Sequence, residues 1–598
     1  MVGPDFSKAD APVADQWLEA RDPAVRTDRQ DYAAWWSVFN DPTLDNLIDR
    51  AYRQNLSLMA AGASVLQARA TLGVAIGEFY PQQQQLGGTV TYNQYSKSDP
   101  TTNPQGTLNS NIWSAAFGAQ ASWELDFWGK FRRGGGFVQP IGLMTIYSFV
   151  KELGYDAELL DSRLAGLSST ALRARLVEGR YDVVGIPVFT NTAADSFRTA
   201  GLVKEALPGC TVVLGGVHVT SRPEQSLREC ASADIVVVGE GEMTMAELLD
   251  ALTRGQPLAG IRGIAYRRDD GVAVNPGRDL VKDPNVLPHI RYQDVPLDRY
   301  VPHPTQYLAL PSFNVFTQRG CPYACTFCQA MVTMGKKVRF KSVDKVVEEI
   351  RLLKTLWGAR GIYFQDSAFT IRKDWVRELC DRLIAEDLGI DWACNARVDN
   401  VTPDLLQHMA RAGCWMCAYG IESGNQSSLD LMKKGITIAQ QRDAVTWTRD
   451  AGIQALNNFI LAVPGETEAM VRHTIDYSLE LGSEIALYWL PIPYPGTELW
   501  NTARAMGGLR EDAPWADFGA MDYHNLVYVN PLLGGDRASA QAKMLELHGD
   551  AYRAFYGSPR TILRNLRAVR SPRHLHRLYK AALAISGLYF EPATQSAE

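Results

Sequence analysis

No apolar run in this chain reaches the roughly 20 residues needed to span a bilayer as a helix. Nor does a basic stretch followed by an apolar one stand near Met1, so we expect no export signal. Nine cysteines in 598 residues are too few for a disulfide framework, and three are crowded together, which argues for a reducing, cytoplasmic setting. Excess charge of one sign is lacking too. A net charge of -6 provides no basic footprint for nucleic acid, and none is expected as a partner. What is present is ordinary for globular protein: 46% hydrophobic and 21% charged residues, enough for several domains with sizeable cores.

The crowded cysteines are Cys321, Cys325 and Cys328, in Arg319-Gly-Cys-Pro-Tyr-Ala-Cys-Thr-Phe-Cys-Gln-Ala. Three thiolates this close cannot close a four-ligand zinc site, but they can hold three irons of a [4Fe-4S] cluster and leave the fourth open. The run, with Phe327 before its last cysteine, resembles the cluster loop of the radical S-adenosylmethionine (SAM) superfamily. That resemblance implies SAM bound at the open iron through its amino and carboxylate groups.

The chain reads in unlike pieces. Residues 1–133 begin polar, then show helical patterns at Leu44–Asn55 and Met59–Gly77 and period-two stretches at Leu86–Tyr95 and Ser114–Phe127. Trp35-Trp36, Ala68-Arg-Ala and Ala121-Ser-Trp-Glu-Leu-Asp-Phe-Trp-Gly-Lys resemble a fragment of the outer-membrane factor of efflux pumps. Such channels need two hairpin repeats and a trimeric barrel, most of which is missing. A gene fusion, or a joining of unrelated frames, accounts better for this α+β piece.

From Gly134 to about residue 270 strands and helices alternate. A helix to Leu153 is followed by strands at Ala157–Asp161, Asp182–Pro187, Thr211–Gly215 and Ile235–Gly239, an α/β doubly wound parallel sheet. The stretch resembles the cobalamin-binding domain ahead of many radical SAM cores, although the usual first strand and Asn-Pro-Pro turn do not precede Gly134. The resemblance implies cobalamin on the C-terminal edge of the sheet. The turns there carry Thr190, Asn191, Gly215, Gly216, His218, Gly239 and Gly241. Glycines let backbone approach a nucleotide tail, and helix starts offer N–H groups to its phosphate. No D-x-H-x-x-G pattern occurs, so His218 is read as a surface residue and cobalamin as base-off.

After a linker over residues 271–310, six β–α repeats fill 311–500, matching a partial (βα)6 barrel. Strands are expected at Phe313–Gln318, Gly361–Gln365, Asp391–Ala396, Met416–Ile421, Leu456–Val463 and Ile485–Pro491. Parallel barrels collect chemistry at the C-terminal ends of strands. The cysteine loop, Gln365-Asp366, Arg397, Glu422 and Pro464-Gly465-Glu466 all fall there. By the resemblance, Gln365-Asp366 stands in the place of the SAM-amino motif, Arg397 pairs with the SAM carboxylate and Glu422 lies near the ribose. Ala462 replaces the more usual glycine of the fifth-strand motif. Cys414-Trp-Met-Cys417, with Cys394, offers a redox pair or second-cluster site, but it lies roughly 16 Å from the mouth by strand rise, and buried structural thiols are the expectation.

Residues 501–598 read as a mainly helical extension ending in the basic stretch Ile562–Leu583, a solvated face or a membrane-surface contact. The resemblance implies reductive cleavage of SAM, a 5′-deoxyadenosyl radical, and methylation of an unactivated carbon on a small-molecule or lipid substrate. It also implies an electron donor such as flavodoxin or ferredoxin. Cyclisation or rearrangement, with or without cobalamin, is the alternative. Methylthiotransferases carry three further cysteines ahead of the barrel, where this chain has only Cys210 and Cys230. An envelope efflux component, the reading from another class, leaves the cysteine triad unexplained.

Overall fold

The computed structural model describes residues 39–54, 83–94, 111–122, 138–269, 271–519 and 525–567. The chain divides into two compact units, Met1–Phe127 and Trp128–Glu598. In the first, the helix Pro42–Gln54 starts behind Asp41, whose carboxylate accepts from the Thr43 and Leu44 N–H groups. Strands β1 (Gln83–Gln94) and β2 (Asn111–Ser122) pair antiparallel along their full length. The expected helix Met59–Gly77 lies outside the described residues.

Among its described residues the second unit holds two large sheets and a two-stranded hairpin. The smaller sheet contains β3 (Val183–Pro187), β4 (Thr211–Gly215), β5 (Ile235–Val237), β6 (Ile264–Arg268) and β7 (Gly271–Val274), in that spatial order. The first three are parallel, and β6 and β7 add an antiparallel margin that the sequence reading did not include. The expected strand at Ala157–Asp161 is coil, a correction. In a flavodoxin-like order the second strand pairs only with the first. Among the described residues of this unit no strand precedes Val183, so this stretch has no ladder partner and β3 forms the edge. Asp161 instead accepts from the Tyr300 hydroxyl at 2.8 Å and the Leu164 N–H at 2.9 Å.

The larger sheet begins with β8 (Ser312–Val315), and a short hairpin of β9 (Gln318–Arg319) and β10 (Arg339–Phe340) follows it in the chain. It continues through β11 (Gly361–Phe364), β12 (Asp391–Ala396), β13 (Cys414–Glu422), β14 (Gln454–Ile460) and β15 (Ile485–Trp489). These six main strands are parallel, in the order β15-β14-β13-β12-β11-β8. The helix Val343–Trp357 shows how the sequence builds the outer layer. Ser342 caps its start, left-handed Gly358 ends it, and Val343, Val346, Val347, Ile350 and Leu353 bury one face at helical spacing.

A sheet that stops at six strands leaves two edges, β8 and β15. The helix Arg537–Gly557 covers β15. The Tyr552 hydroxyl accepts from the Tyr488 N–H at 3.1 Å and lies 3.2 Å from the Tyr488 carbonyl, and Tyr556 does the same for Ala486 at 3.2 and 2.8 Å. Two side-chain hydroxyls thus take the place of a seventh strand. Beyond it the helix Pro559–Arg567 begins the basic stretch, and Arg564 donates to the Ser483 carbonyl at 2.8 Å. Residues 568–598 lie outside the described part.

Candidate active site at the mouth of the barrel

The three clustered cysteines sit in the loop between β9 and β10. Gly320, at φ +91°, opens this loop; a Cβ there would come within 2.4 Å of the Lys337 carbonyl oxygen, so no other residue fits. The Cys321 N–H donates to the Gly335 carbonyl, and the Thr326 N–H donates to the Met432 carbonyl, tying the loop to the segment after β13. All three thiols are free and half-buried. Burial pushes the Cys325 and Cys328 thiols up, while Lys434 and Arg397 oppose it at Cys325.

Arg397, after β12, is buried among partners. It donates to the Asp399 carboxylate at 3.0 and 3.2 Å and to the Lys434 carbonyl at 2.8 Å, and its guanidinium lies 3.4 Å from the centre of the Tyr323 ring. Its remaining nitrogen lies 3.9 Å from the Cys325 sulfur. The planar guanidinium is held from three sides and turned toward the cluster loop. Glu422 ends β13 at φ +65° and pairs with Lys434 at 2.6 Å, with both side chains nearly buried. Tyr323, Asp399 and Lys434 were absent from the sequence reading; only the position of Tyr323 inside the cysteine run could have marked it.

Asp366 is 1% exposed and accepts from Thr317 N, Thr317 Oγ1 and Gln318 N, at 2.6–2.9 Å. Its carboxylate therefore braces the root of the cysteine loop, and its neighbour Gln365 is half-buried. Desolvation pushes the Asp366 carboxyl up to about 6 against those hydrogen bonds. Glu466 is equally enclosed: its carboxylate takes the Ser423 and Ser428 hydroxyls and the Val463 N–H, joining the loops after β13 and β14. Pro464 is buried and Gly465 turns at φ +93°. Ala462 occupies a left-handed φ of +64°, which explains why glycine would suit the position.

A cavity of about 630 Å³ opens beside the cysteine loop. Thr326 and Phe327 wall it on one side, Glu422 and Pro464 on another, and Trp489, Ile492 and Tyr494 on a third. Its size and its largely apolar walls, with Glu422, Asp430, Lys433 and Glu498 as charged groups, suit a nucleoside-bearing cofactor and part of a substrate.

At the other sheet, Thr190 is buried and Asn191 exposed. A Cβ built on Gly215 or Gly239 would meet nothing within 4 Å, so both turns open on free space. Gly216 is required by packing instead: an added Cβ would lie 2.7 Å from the Val188 carbonyl oxygen, whereas at Gly241 it would meet the movable tip of the Ile146 side chain, at 2.8 Å. His218 is not a surface residue, which corrects the sequence reading. It is 1% exposed, because the short helix Val217–Ser221 turns it under Trp515 of the C-terminal extension, ring centroids 4.7 Å apart. Desolvation lowers its pKa to about 4, so it is neutral, and among the described residues its Nε2 has no hydrogen-bond partner. Open glycine turns and an unanswered buried nitrogen fit a large cofactor at this edge.

The known proteins that this chain resembles agree with the geometry. The model of the radical SAM superfamily matches residues 315–478, and that of the B12 binding domain matches residues 132–249. Over 427 residues, 71% of this chain and 90% of the relative, it is 32% identical to an uncharacterized methyltransferase of Pyrococcus horikoshii. It is 28% identical over 431 residues to an anaerobic magnesium-protoporphyrin IX monomethyl ester cyclase of Rubrivivax gelatinosus, covering 70% of this chain and 73% of that one. Its fold is similar to that of the radical SAM methyltransferase TsrM from Kitasatospora setae, solved with cobalamin and a [4Fe-4S] cluster bound. The TM-score is 0.59 at 18% identity, over 75% of this chain and 96% of that one.

Proposed function

This chain belongs to the radical SAM enzymes that carry a B12-binding domain, and from that premise we propose that it methylates an unactivated carbon of a small-molecule or lipid substrate. The observation that carries the reading is the docking of the cysteine loop of one sheet against the glycine turns of the other. Bound there, the cluster supplies a low-potential electron, SAM a carbon-centred radical, and cobalamin a transferable methyl group.

The residues divide the work. Cys321, Cys325 and Cys328 hold three irons as thiolates, and Arg397 sets a fixed positive charge beside them. Phe327, Gln365, Arg397, Glu422, Pro464 and Gly465 shape the SAM site; Asp366 and Glu466 act one step back, bracing the loops that form it. Thr190, Asn191, Gly215 and Gly239 would frame cobalamin, Gly216 and Gly241 set the turns beside it, and His218 lies neutral beneath Trp515 at the same edge. The apolar wall of Trp489, Ile492 and Tyr494 excludes water from the reacting carbon. An electron donor such as flavodoxin or ferredoxin and a cytoplasmic location complete the proposal. Among the described residues no helix is long and apolar enough to cross a membrane. We place the catalytic unit within 134–598 and leave residues 1–133, with their outer-membrane-factor texture, outside it.

Anaerobic reconstitution with iron, sulfide and hydroxocobalamin tests this reading. Corrin absorbance, a [4Fe-4S] spectrum and 5′-deoxyadenosine release are expected, and Cys325→Ala should abolish the last two. Corrin-free protein that still cleaves SAM would overturn the cobalamin role. The relative named as a cyclase favours a second reading, ring closure in place of methyl transfer. Methyl-deuterated SAM separates them, since only methylation carries the label into product.

A further inference from the structure

Cys394, Cys414 and Cys417 are not part of the mouth. In a regular strand Cys414 and Cys417, three residues apart, would face opposite sides of the sheet. Here the register between β12 and β13 slips: Trp392 pairs with Cys414 but Ala393 pairs with Met416, leaving Trp415 as the extra residue of a bulge. The bulge sends Trp415 and Met416 together into the barrel interior, against Tyr363 and Ala393. It thereby turns Cys414 to the face of Cys417, under the helices, where Cys417 stands directly beside Cys394 on β12. The three sulfurs lie within 4.8 Å of one another, and none of the residues is more than 5% exposed.

We propose that this trio is a binding site for Cu(I), held by three sulfurs in trigonal coordination. Soft thiolates select Cu(I), zinc or iron–sulfur clusters. Structural zinc takes four ligands, and no histidine or carboxylate joins the three thiols within the same reach among the described residues. Three-coordinate sulfur is a geometry that monovalent d10 copper accepts. Taking up the ion as a three-thiolate complex releases the protons of the thiols that bind it. Entry is by Cys414, the first residue of β13, the least enclosed of the three.

The cluster loop is itself a trap for Cu(I), so the test uses the full chain carrying C321A, C325A and C328A. It is titrated anaerobically with the Cu(I)–bicinchoninate complex, whose colour is lost as copper moves to protein. The expected result is one copper withdrawn per chain, with affinity at least 100-fold lower after a further Cys414→Ala or Cys394→Ala. Copper K-edge absorption on the intact trio, which needs no further variant, should count three sulfur neighbours. No withdrawal of copper, withdrawal unchanged in both alanine variants, or a nitrogen and oxygen shell at the edge would each overturn the proposal. So would retention of zinc in preference to copper when both are offered.

Discussion

Arg319, two residues before the first cysteine of the cluster loop, donates to the Glu242 carboxylate at 2.5 Å. Glu242 opens the helix that follows β5, so this bond joins the two sheets of the larger unit. On the opposite strand of the hairpin, Arg339 meets Glu240 at 2.9 Å, and both partners are nearly buried. Both roots of the cysteine loop are thereby pinned to the Gly239-Glu-Gly-Glu turn. The spacing between the two cofactor sites follows from that clamp.

Replacing Glu242 with Gln keeps one acceptor oxygen but removes the charge, leaving Glu240, at 3.4 Å, as the anionic partner of Arg319. Breaking an enclosed pair by removing one partner costs about 3 kcal/mol. Denaturant titration of Glu242→Gln should therefore show a lower midpoint, with cobalamin released faster. A midpoint equal to that of the parent protein would mean that the clamp contributes nothing.

Asp366 makes stability depend on pH in a defined direction. Its carboxyl is pushed up to about 6 by burial, whereas an aspartate in the unfolded chain titrates near 4. Between those values the folded state holds a proton that the unfolded state has released, so its contribution to stability falls as pH rises, by roughly 3 kcal/mol in all. Asp366→Asn keeps an oxygen for the Thr317 and Gln318 N–H groups and does not titrate. The variant should gain stability relative to the parent between pH 4 and 7. A parent–variant difference that stays constant across that range rules the argument out.

At the sealed edge, Tyr552→Phe removes the hydroxyl that serves the Tyr488 N–H, while the Tyr488 carbonyl keeps His548 Nε2 at 3.0 Å. Leaving the buried N–H without a partner costs about 2 kcal/mol. The Tyr488 amide should then exchange with deuterium well before the other β15 amides, which mass spectrometry of peptides can follow. Unaltered exchange would show that water or another group already serves it.

Arg397→Lys keeps the charge but loses the fork to Asp399 and the stack on Tyr323. The KM for SAM should rise about tenfold, equivalent to roughly 1.4 kcal/mol, while iron content is unchanged. A fall in iron with KM preserved would move Arg397 from SAM positioning to cluster assembly.

The barrel was the most legible part of the chain. Strands such as Asp391–Ala396 and Ile485–Trp489 lie where the pattern put them, because apolar spacing over a few residues is a local property. The strand expected at Ala157–Asp161 failed for want of a neighbour, since a strand needs a partner that its own residues cannot supply. The pair β6 and β7 carried a sequence signal that went unused: the short apolar run Ile264-Ala-Tyr, then an Asp-Gly pair ahead of Val272-Ala-Val.

By itself, then, the amino-acid order determined the cysteine spacing, the βα rhythm and which turns sit at strand ends. Each of these is written in residues close together along the chain. Tertiary structure alone decided the pairing of Arg319 with Glu242, 77 residues away, the burial of His218 beneath Trp515, and the bulge that gathers three sulfurs. Such contacts depend on how sheets twist, slip in register and dock, and no window of neighbouring residues contains that information.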